Sequence, residues 1–194
     1  MIYYLFFFSG HGMRVPDKNE DEYDESWALY DGLLIDDDLF YLFKDFKFGV
    51  RIFVISDSCC SGTIIDGFPK AEHKTFPEDI QIRIIKNSKS SIDETKKATL
   101  SKRALKEEIK KSNIKHYPNV LLLSACQDNQ WAVPGKIYSK FTKQIVTTWN
   151  DLGLRGKIKY REFYKQILKS FTPFQSPNYY HIGKSQPWNR PIFS

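Results

Sequence analysis

Two short segments of the chain combine reactive side chains with glycine: SGHG at 9–12 and DSCCSG at 57–62. A thiolate is a strong nucleophile, and a histidine can take the proton from the thiol that forms it. The glycines beside His11 give its imidazole little packing of their own and let backbone approach a ligand closely. These residue types indicate a thiol nucleophile, Cys59 or Cys60, with His11 as its base.

A third segment of this kind, SACQDNQ, occupies residues 124–130. Each of the three segments follows or ends an apolar run, at 2–8, 50–56 and 120–124, and continuous apolarity predicts strands covered on both faces of a parallel sheet. Ligands of open α/β sheets bind at the carboxyl edge of the strands. We therefore expect one crevice at that edge to collect His11, Asp57, Cys59, Cys60, Cys126 and Asp128.

Helical patterns separate and follow these strands. Leu39, Leu42, Phe43 and Phe46 recur at helical spacing behind an Asp-rich start, where residues 36–38 could cap the helix and complement its dipole. Amphipathic helices are also predicted at 138–149 and 160–171, and the chain from 172 is expected to be extended or irregular. The acidic stretch PDKNEDEYDES reads as a loop. This order of elements predicts an α/β fold.

Composition and charge narrow the function classes. The 194 residues are 41% hydrophobic, which suits one folded domain. The net charge of +6 conceals an asymmetry: residues 1–66 hold 13 acidic and 5 basic side chains, a balance of −8, so the remainder carries +14. The lysines lack the interleaved aromatic residues of a stacking platform, so we expect no nucleic-acid partner. No apolar run reaches the roughly 18 residues of a membrane span, so we expect no membrane partner.

The three cysteines have other interpretations. Adjacent Cys59 and Cys60 cannot form an ordinary structural disulfide, which favours free thiols in a reducing, cytoplasmic setting. Any one cysteine that follows an apolar strand could be a small buried side chain, and this is the expected role of Cys126. The spacing of the cysteines and histidines does not fit a zinc site.

The order SGHG, YDES, LIDDDLF and FGVRIFVISDSCCSG resembles the caspase-like domain of metacaspases, most closely the bacterial-type members called orthocaspases. SACQDNQ, FTKQIVTTW and the QSPNYYHIG…PWNRPIF ending extend this resemblance over nearly the whole chain. It implies a caspase-like three-layer α/β/α sandwich with a mostly parallel central sheet. The single domain, 1–194, would comprise a half with the catalytic dyad (1–67), a polar insertion (68–117) and a half like the smaller caspase subunit (118–194).

The resemblance also implies an activity, that of a cysteine endopeptidase acting through an acyl-enzyme. In these proteins the cysteine two residues after the aspartate is the nucleophile, which is Cys59 here, and His11 is the base. Cys60 replaces the histidine that usually follows the nucleophile. The backbone N–H groups of Gly12 and Cys59 would bind the oxyanion.

Specificity is implied by the same alignment. Ser9 and Asp57 match the positions that line an acidic pocket for Arg or Lys before the scissile bond. The alternative for Asp57 is a capping role at a turn or helix start. The lysines and arginines of 68–117 could then be cut by the enzyme itself.

Calcium is a further implication. Metacaspases that need the ion bind it through four aspartates, which match Asp24, Asp36, Asp37 and Asp66 here, and hard carboxylate oxygens suit Ca²⁺. The alternative is that the run at 36–38 only starts a helix and is solvated. No organic cofactor is expected.

Members of the family normally have a strand and a helix before the SGHG strand, whereas the printed sequence begins in that strand. The resemblance therefore predicts an exposed sheet edge and an incomplete pocket, unless a partner chain completes the sheet. Two other functions stay open: a catalytically weak interaction module that pairs with a relative, and a non-protease thiol hydrolase or acyltransferase using the same dyad.

Overall fold

The computed structural model describes residues 2–16, 23–58, 118–126, 132–152, 157–184 and 186–194. In chain order these form strands β1 (Tyr3–Ser9), β2 (Gly12–Pro16), β3 (Tyr23–Ala28) and β4 (Leu33–Ile35), helix α1 (Asp36–Lys44), strands β5 (Arg51–Asp57) and β6 (Asn119–Ser124), helices α2 (Lys140–Leu152) and α3 (Tyr160–Leu168), strand β7 (Asn178–Ile182) and a 3-10 helix (Gln186–Asn189). The three strands and three helices predicted from the sequence are all present, with ends shifted by a few residues.

The central sheet has the order β1-β5-β6-β7. β1 pairs parallel with β5 and β5 pairs parallel with β6, whereas β7 runs antiparallel to β6. The mostly parallel sheet predicted from the sequence is thus confirmed. β7 lies in the segment for which the sequence predicted only extended or irregular chain, and pairing with β6 gives it regular structure.

A small antiparallel sheet, β2-β3-β4, connects β1 to α1. Its strands pair Gly12 with Trp27 and Ser26 with Ile35. The prediction of a loop for the whole acidic stretch is therefore wrong at Pro16, which ends β2, and over 23–26, which lie in β3. Backbone pairing across the small sheet overrides the weak strand propensity of Asp and Glu.

Helix α1 starts differently from the prediction. Its N-cap is Ile35, which makes no side-chain capping bond, so the expected capping by aspartate is wrong. The three aspartates instead form the first turn, where negative charge complements the helix dipole.

Helices cover both faces of the central sheet. Successive side chains of a strand point to opposite faces, so Phe53 and Ile55 pack with the α2 and α3 side of the core, while Ile52 and Val54 pack with the α1 side. The three layers expected of the fold are therefore present. No helix among the described residues has the length and apolar character to cross a bilayer.

Candidate active site

The register of β1 on β5 brings the two predicted catalytic segments to one edge. The two residues of each pair are 48 positions apart in the sequence, from Tyr3 with Arg51 at one end to Ser9 with Asp57 at the other. His11 follows Ser9 by two residues and Cys59 follows Asp57 by two. The N–H of Gly10 donates to the carbonyl of Asp57 at 3.2 Å, which continues the pairing beyond the last strand residue.

Cys59 itself lies outside the described residues, as do Cys60, Asp66 and Asp128.

The small sheet holds the loop that carries His11. The carbonyl of His11 accepts the N–H of Ala28 at 3.0 Å, and the half-buried histidine leads directly into β2. Bonded and non-bonded pairs alternate in an antiparallel ladder, so the next pair, Gly12 with Trp27, leaves the Gly12 N–H pointing away from β3. That N–H is one of the two predicted oxyanion donors.

Gly10 fits a tight passage between β1 and His11. A Cβ at this position would lie 2.8 Å from the ring of Phe8, closer than side-chain atoms approach. Phe8 in turn stacks on Trp27 at 4.6 Å between ring centroids. Because Gly10 has no side chain, its backbone can pass close to the Phe8 ring between β1 and His11.

Asp57 ends β5 with its side chain completely buried. Three hydroxyl groups donate to its Oδ2: that of Ser9 at 3.3 Å and those of Ser139 and Thr142 at closer range. Ser9 and Asp57 are thus in contact, as expected for residues of one pocket. Among the described residues, the Asp57 carboxylate joins β1 to the start of α2. The segment after Ser58, where the alternative capping role would lie, is outside the described residues.

Ser139 and Thr142 were not among the residues predicted for the site. The Ser139 Oγ also accepts the backbone N–H of Thr142 at 3.0 Å, so it caps α2 while it donates to Asp57. A hydroxyl residue just before an amphipathic helix is a recognisable N-cap signal, but its contact with a residue 82 positions away is not readable from the sequence.

The backbone that leads to Cys59 is held from two sides. Trp27 Nε1 donates to Ser56 Oγ at 2.8 Å, and Ser56 Oγ lies 3.0 Å from Ser58 Oγ. From the other side, the buried thiol of Cys126 donates to the Ser58 carbonyl at 3.5 Å. Cys126 thus has the buried position expected of it, and it contacts the backbone of Ser58, the residue before the predicted nucleophile in the sequence.

The four aspartates predicted to bind calcium are only partly described. Asp24 is in β3, Asp36 and Asp37 are the first residues of α1, and the structure describes the backbone alone for these three. Because Ser26 pairs with the residue before Asp36, and α1 packs against β3, the three backbones lie at the same end of the small sheet. Carboxylates from these positions fit the oxygen ligands that Ca²⁺ takes. Among the side chains that the structure describes, no group of three His, Cys, Asp or Glu could hold a metal.

Known proteins resemble this chain in sequence and in structure. Residues 3–68 match the model of the metacaspase peptidase C14 domain. Metacaspase-1 of Plasmodium falciparum is 42% identical over 70 residues, which are 32% of this chain and 11% of that protein. Metacaspase-2 of Arabidopsis thaliana is 36% identical over 70 residues, 32% of this chain and 17% of that protein. The aligned segments are thus a small part of these curated relatives.

A solved structure matches over the full length. The crystal structure of protein GSU0716 from Geobacter sulfurreducens superposes with a TM-score of 0.81 and 31% sequence identity, covering 100% of this chain and 71% of that one. The family match spans both segments built around His11 and Cys59, and the fold match extends beyond them. Residues 3–68 of this chain therefore belong to the metacaspase peptidase C14 domain family.

Proposed function

We propose that this protein is a cysteine endopeptidase that cleaves after Arg or Lys, with Cys59 as nucleophile and His11 as base. One observation carries the proposal: the interval between these two residues equals the constant interval of the β1–β5 register, so both leave neighbouring parallel strands at equivalent points. The match to a peptidase domain over the same residues supports it.

The chemistry would proceed in two steps. His11 takes the proton of the Cys59 thiol, the sulfur bonds to the scissile carbonyl carbon, and the N–H groups of Gly12 and Cys59 stabilise the oxyanion. The C–N bond then breaks as His11 returns the proton to the leaving amine. Water attacks the thioester with His11 as base, which releases the new carboxyl group and restores the thiol.

Basic specificity would come from Asp57 and Ser9. A buried carboxylate favours a cationic partner over a neutral one, because the neutral side chain leaves the charge unpaired in a site that excludes water. Since the Asp57 side chain is completely buried, a substrate side chain reaches it only when neighbouring groups move aside.

Paired reporter peptides ending in Arg, Lys or Asp would test this proposal, with millimolar calcium present or absent. We expect release after Arg and Lys, and loss of that release in both Cys59→Ala and His11→Ala. Cys60→Ala is the matched control and should retain activity, because Cys60 has no role in the dyad. Release that survives Cys59→Ala, or release after Asp alone, would refute the proposal.

We also propose that Asp24, Asp36, Asp37 and Asp66 hold a calcium ion. Bound there, the ion would neutralise adjoining carboxylates and tie the small sheet to the segment that follows Cys59. The shared position of three of the four backbones at one end of the small sheet supports this.

Isothermal titration of calcium into Cys59→Ala protein would measure this binding separately from activity. Asp36→Asn should weaken calcium binding at least about tenfold, because one anionic ligand is lost. Asp45→Asn, a change of equal charge in the exposed residue after α1, is the control. Equal affinities in the two variants would contradict the site.

A second candidate function is that of an interaction module. It is favoured by β1, which among the described strands pairs on one side only and exposes half of the Leu5 and Phe7 side chains. In this role a second polypeptide would add a strand to β1. Phe7→Lys should then abolish the association measured by light scattering, and a protein that is monomeric with or without this change would exclude self-pairing.

A further inference from the structure

The Asp57 carboxylate is held by a helix that lies far along the chain. Ser139, the N-cap of α2, and Thr142, in its first turn, both donate hydroxyl hydrogen bonds to Asp57 Oδ2, which also accepts from Ser9. All three of these donations go to the same oxygen. The orientation of the carboxylate is thus determined from β1 on one side and from α2 on the other.

The hydrogen bonds to Asp57 are important because its carboxylate is completely buried. An ionised carboxylate loses its hydration when it is buried and needs donors in return, and hydrogen bonds to a charged acceptor are the stronger ones. Ser139 has 6% of its surface exposed and its Oγ also accepts the Thr142 N–H at 3.0 Å. Helix α2 and the carboxylate are therefore linked through two hydroxyls, and that of Ser139 also caps the first turn of the helix.

We propose that Thr142, together with Ser139, is a positioning residue that fixes the orientation of the Asp57 carboxylate for the basic side chain of the substrate. The inference rests on the proposed peptidase function. The guanidinium of arginine donates its hydrogen bonds in a fixed geometry, so its affinity depends on how the carboxylate oxygen that it reaches is oriented. A carboxylate already held in place binds without the cost of ordering it.

The test distinguishes the effect of the Thr142 hydroxyl from the effect of its side-chain shape. Thr142→Val keeps the β-branched shape and removes the hydroxyl, Thr142→Ser keeps the hydroxyl, and Thr147→Val makes the same change at an exposed position of α2. For Thr142→Val we expect the KM of an Arg reporter and the inhibition constant of benzamidine to rise about tenfold, which corresponds to ~1.4 kcal/mol. The kcat should stay within about twofold. The lost interaction stabilises the bound substrate and the transition state equally, and the dyad is untouched.

Thr142→Ser and Thr147→Val should both resemble the wild type in KM and in benzamidine inhibition. A folded Thr142→Val protein with unchanged KM and inhibition constant would overturn the inference, as would a fall in both, which would mean that Thr142 competes with the substrate. A loss confined to kcat would also overturn it. Should Thr142→Val not fold by circular dichroism, Thr142→Ala removes the same hydroxyl without added bulk.

The same assays distinguish the two proposals. Wild-type protein that cleaves no basic reporter and is not bound by benzamidine would refute the proposed function and this inference with it. Wild-type protein that cleaves basic reporters, with Thr142→Val indistinguishable from it, would refute the inference alone.

Discussion

Strands β1 and β5 lie side by side, have the same length and are both rich in aromatic and branched residues, yet their burial differs. Every residue of β5 is buried, whereas β1 leaves Leu5 50% and Phe7 54% exposed. β5 has a strand on each side, and β1 has β5 alone among the described strands. Position in the sheet, and not apolar composition, therefore decides how deeply each strand is buried.

The two strands also support their reactive segments in different ways. The end of β5 is held by contacts from Trp27 and Cys126 to Ser56 and Ser58, within the centre of the fold. The turn after β1 depends on the small sheet, through the bond from Ala28 to the His11 carbonyl. The proposed nucleophile thus follows the most buried strand, and the proposed base follows an edge strand steadied by an appended sheet.

Truncating one phenylalanine in each strand should produce the largest difference. Phe53 is 2% exposed in β5, and Phe53→Ala should cost about 3–5 kcal/mol of unfolding free energy through lost burial and a cavity. Phe7→Ala in β1 should cost less than about 1 kcal/mol, because half of the side chain is already in water. Urea denaturation measures both. Equal losses would show that the exposed face of β1 is covered in solution.

The paired residues that end the strands should differ in their effect on activity. Asp57→Asn removes a buried charge, so kcat/KM for an Arg reporter should fall at least about 100-fold, in line with the ~2–5 kcal/mol cost of truncating one partner of a buried charge pair. Ser9→Ala removes one long hydrogen bond from an exposed serine and should cost no more than about threefold. Comparable losses in the two folded variants would contradict the central role of Asp57.

The smallest effect concerns the hydroxyl contact between β1 and α3. Tyr3 and Tyr160 share a hydrogen bond, and burial raises the pKa of Tyr160 to about 12. An unfolded tyrosine ionises near pH ~10, so the stability from the neutral folded form is fully present below that pH. It is lost as the pH rises towards about 12, because only the unfolded chain then gains from ionisation.

Tyr160→Phe should therefore reduce the loss of unfolding free energy across this alkaline interval. The loss should not disappear, since burial also raises the pKa of Tyr164 and Tyr179. Urea denaturation at a series of pH values measures the slope. An identical slope in Tyr160→Phe and wild type would show that Tyr160 does not contribute.

Much of the central sheet could be predicted from local sequence, and so could the position of His11 shortly after a strand. Apolar runs of strand length predicted β1, β5 and β6, and apolar residues at helical spacing predicted the three helices. Acidic β3 and Pro-flanked β7 could not be predicted in this way, because each owes its structure to backbone pairing with a partner strand. The start of α1 was also mispredicted, since several aspartates in a row leave the choice of N-cap undecided.

The sequence alone determined which residues could carry the chemistry and where they stand relative to the predicted strands: His11 follows one strand, and Asp57 ends another, two residues before Cys59 in the sequence. Residue type and spacing are local properties, so they can be read without a structure. Only the tertiary structure decided that β1 lies at an edge, that Asp57 is completely buried, and that Ser139 and Thr142 hold its carboxylate. These features join residues far apart in the chain, and their hydrogen bonds and burial exist only once the sheet and α2 have packed together.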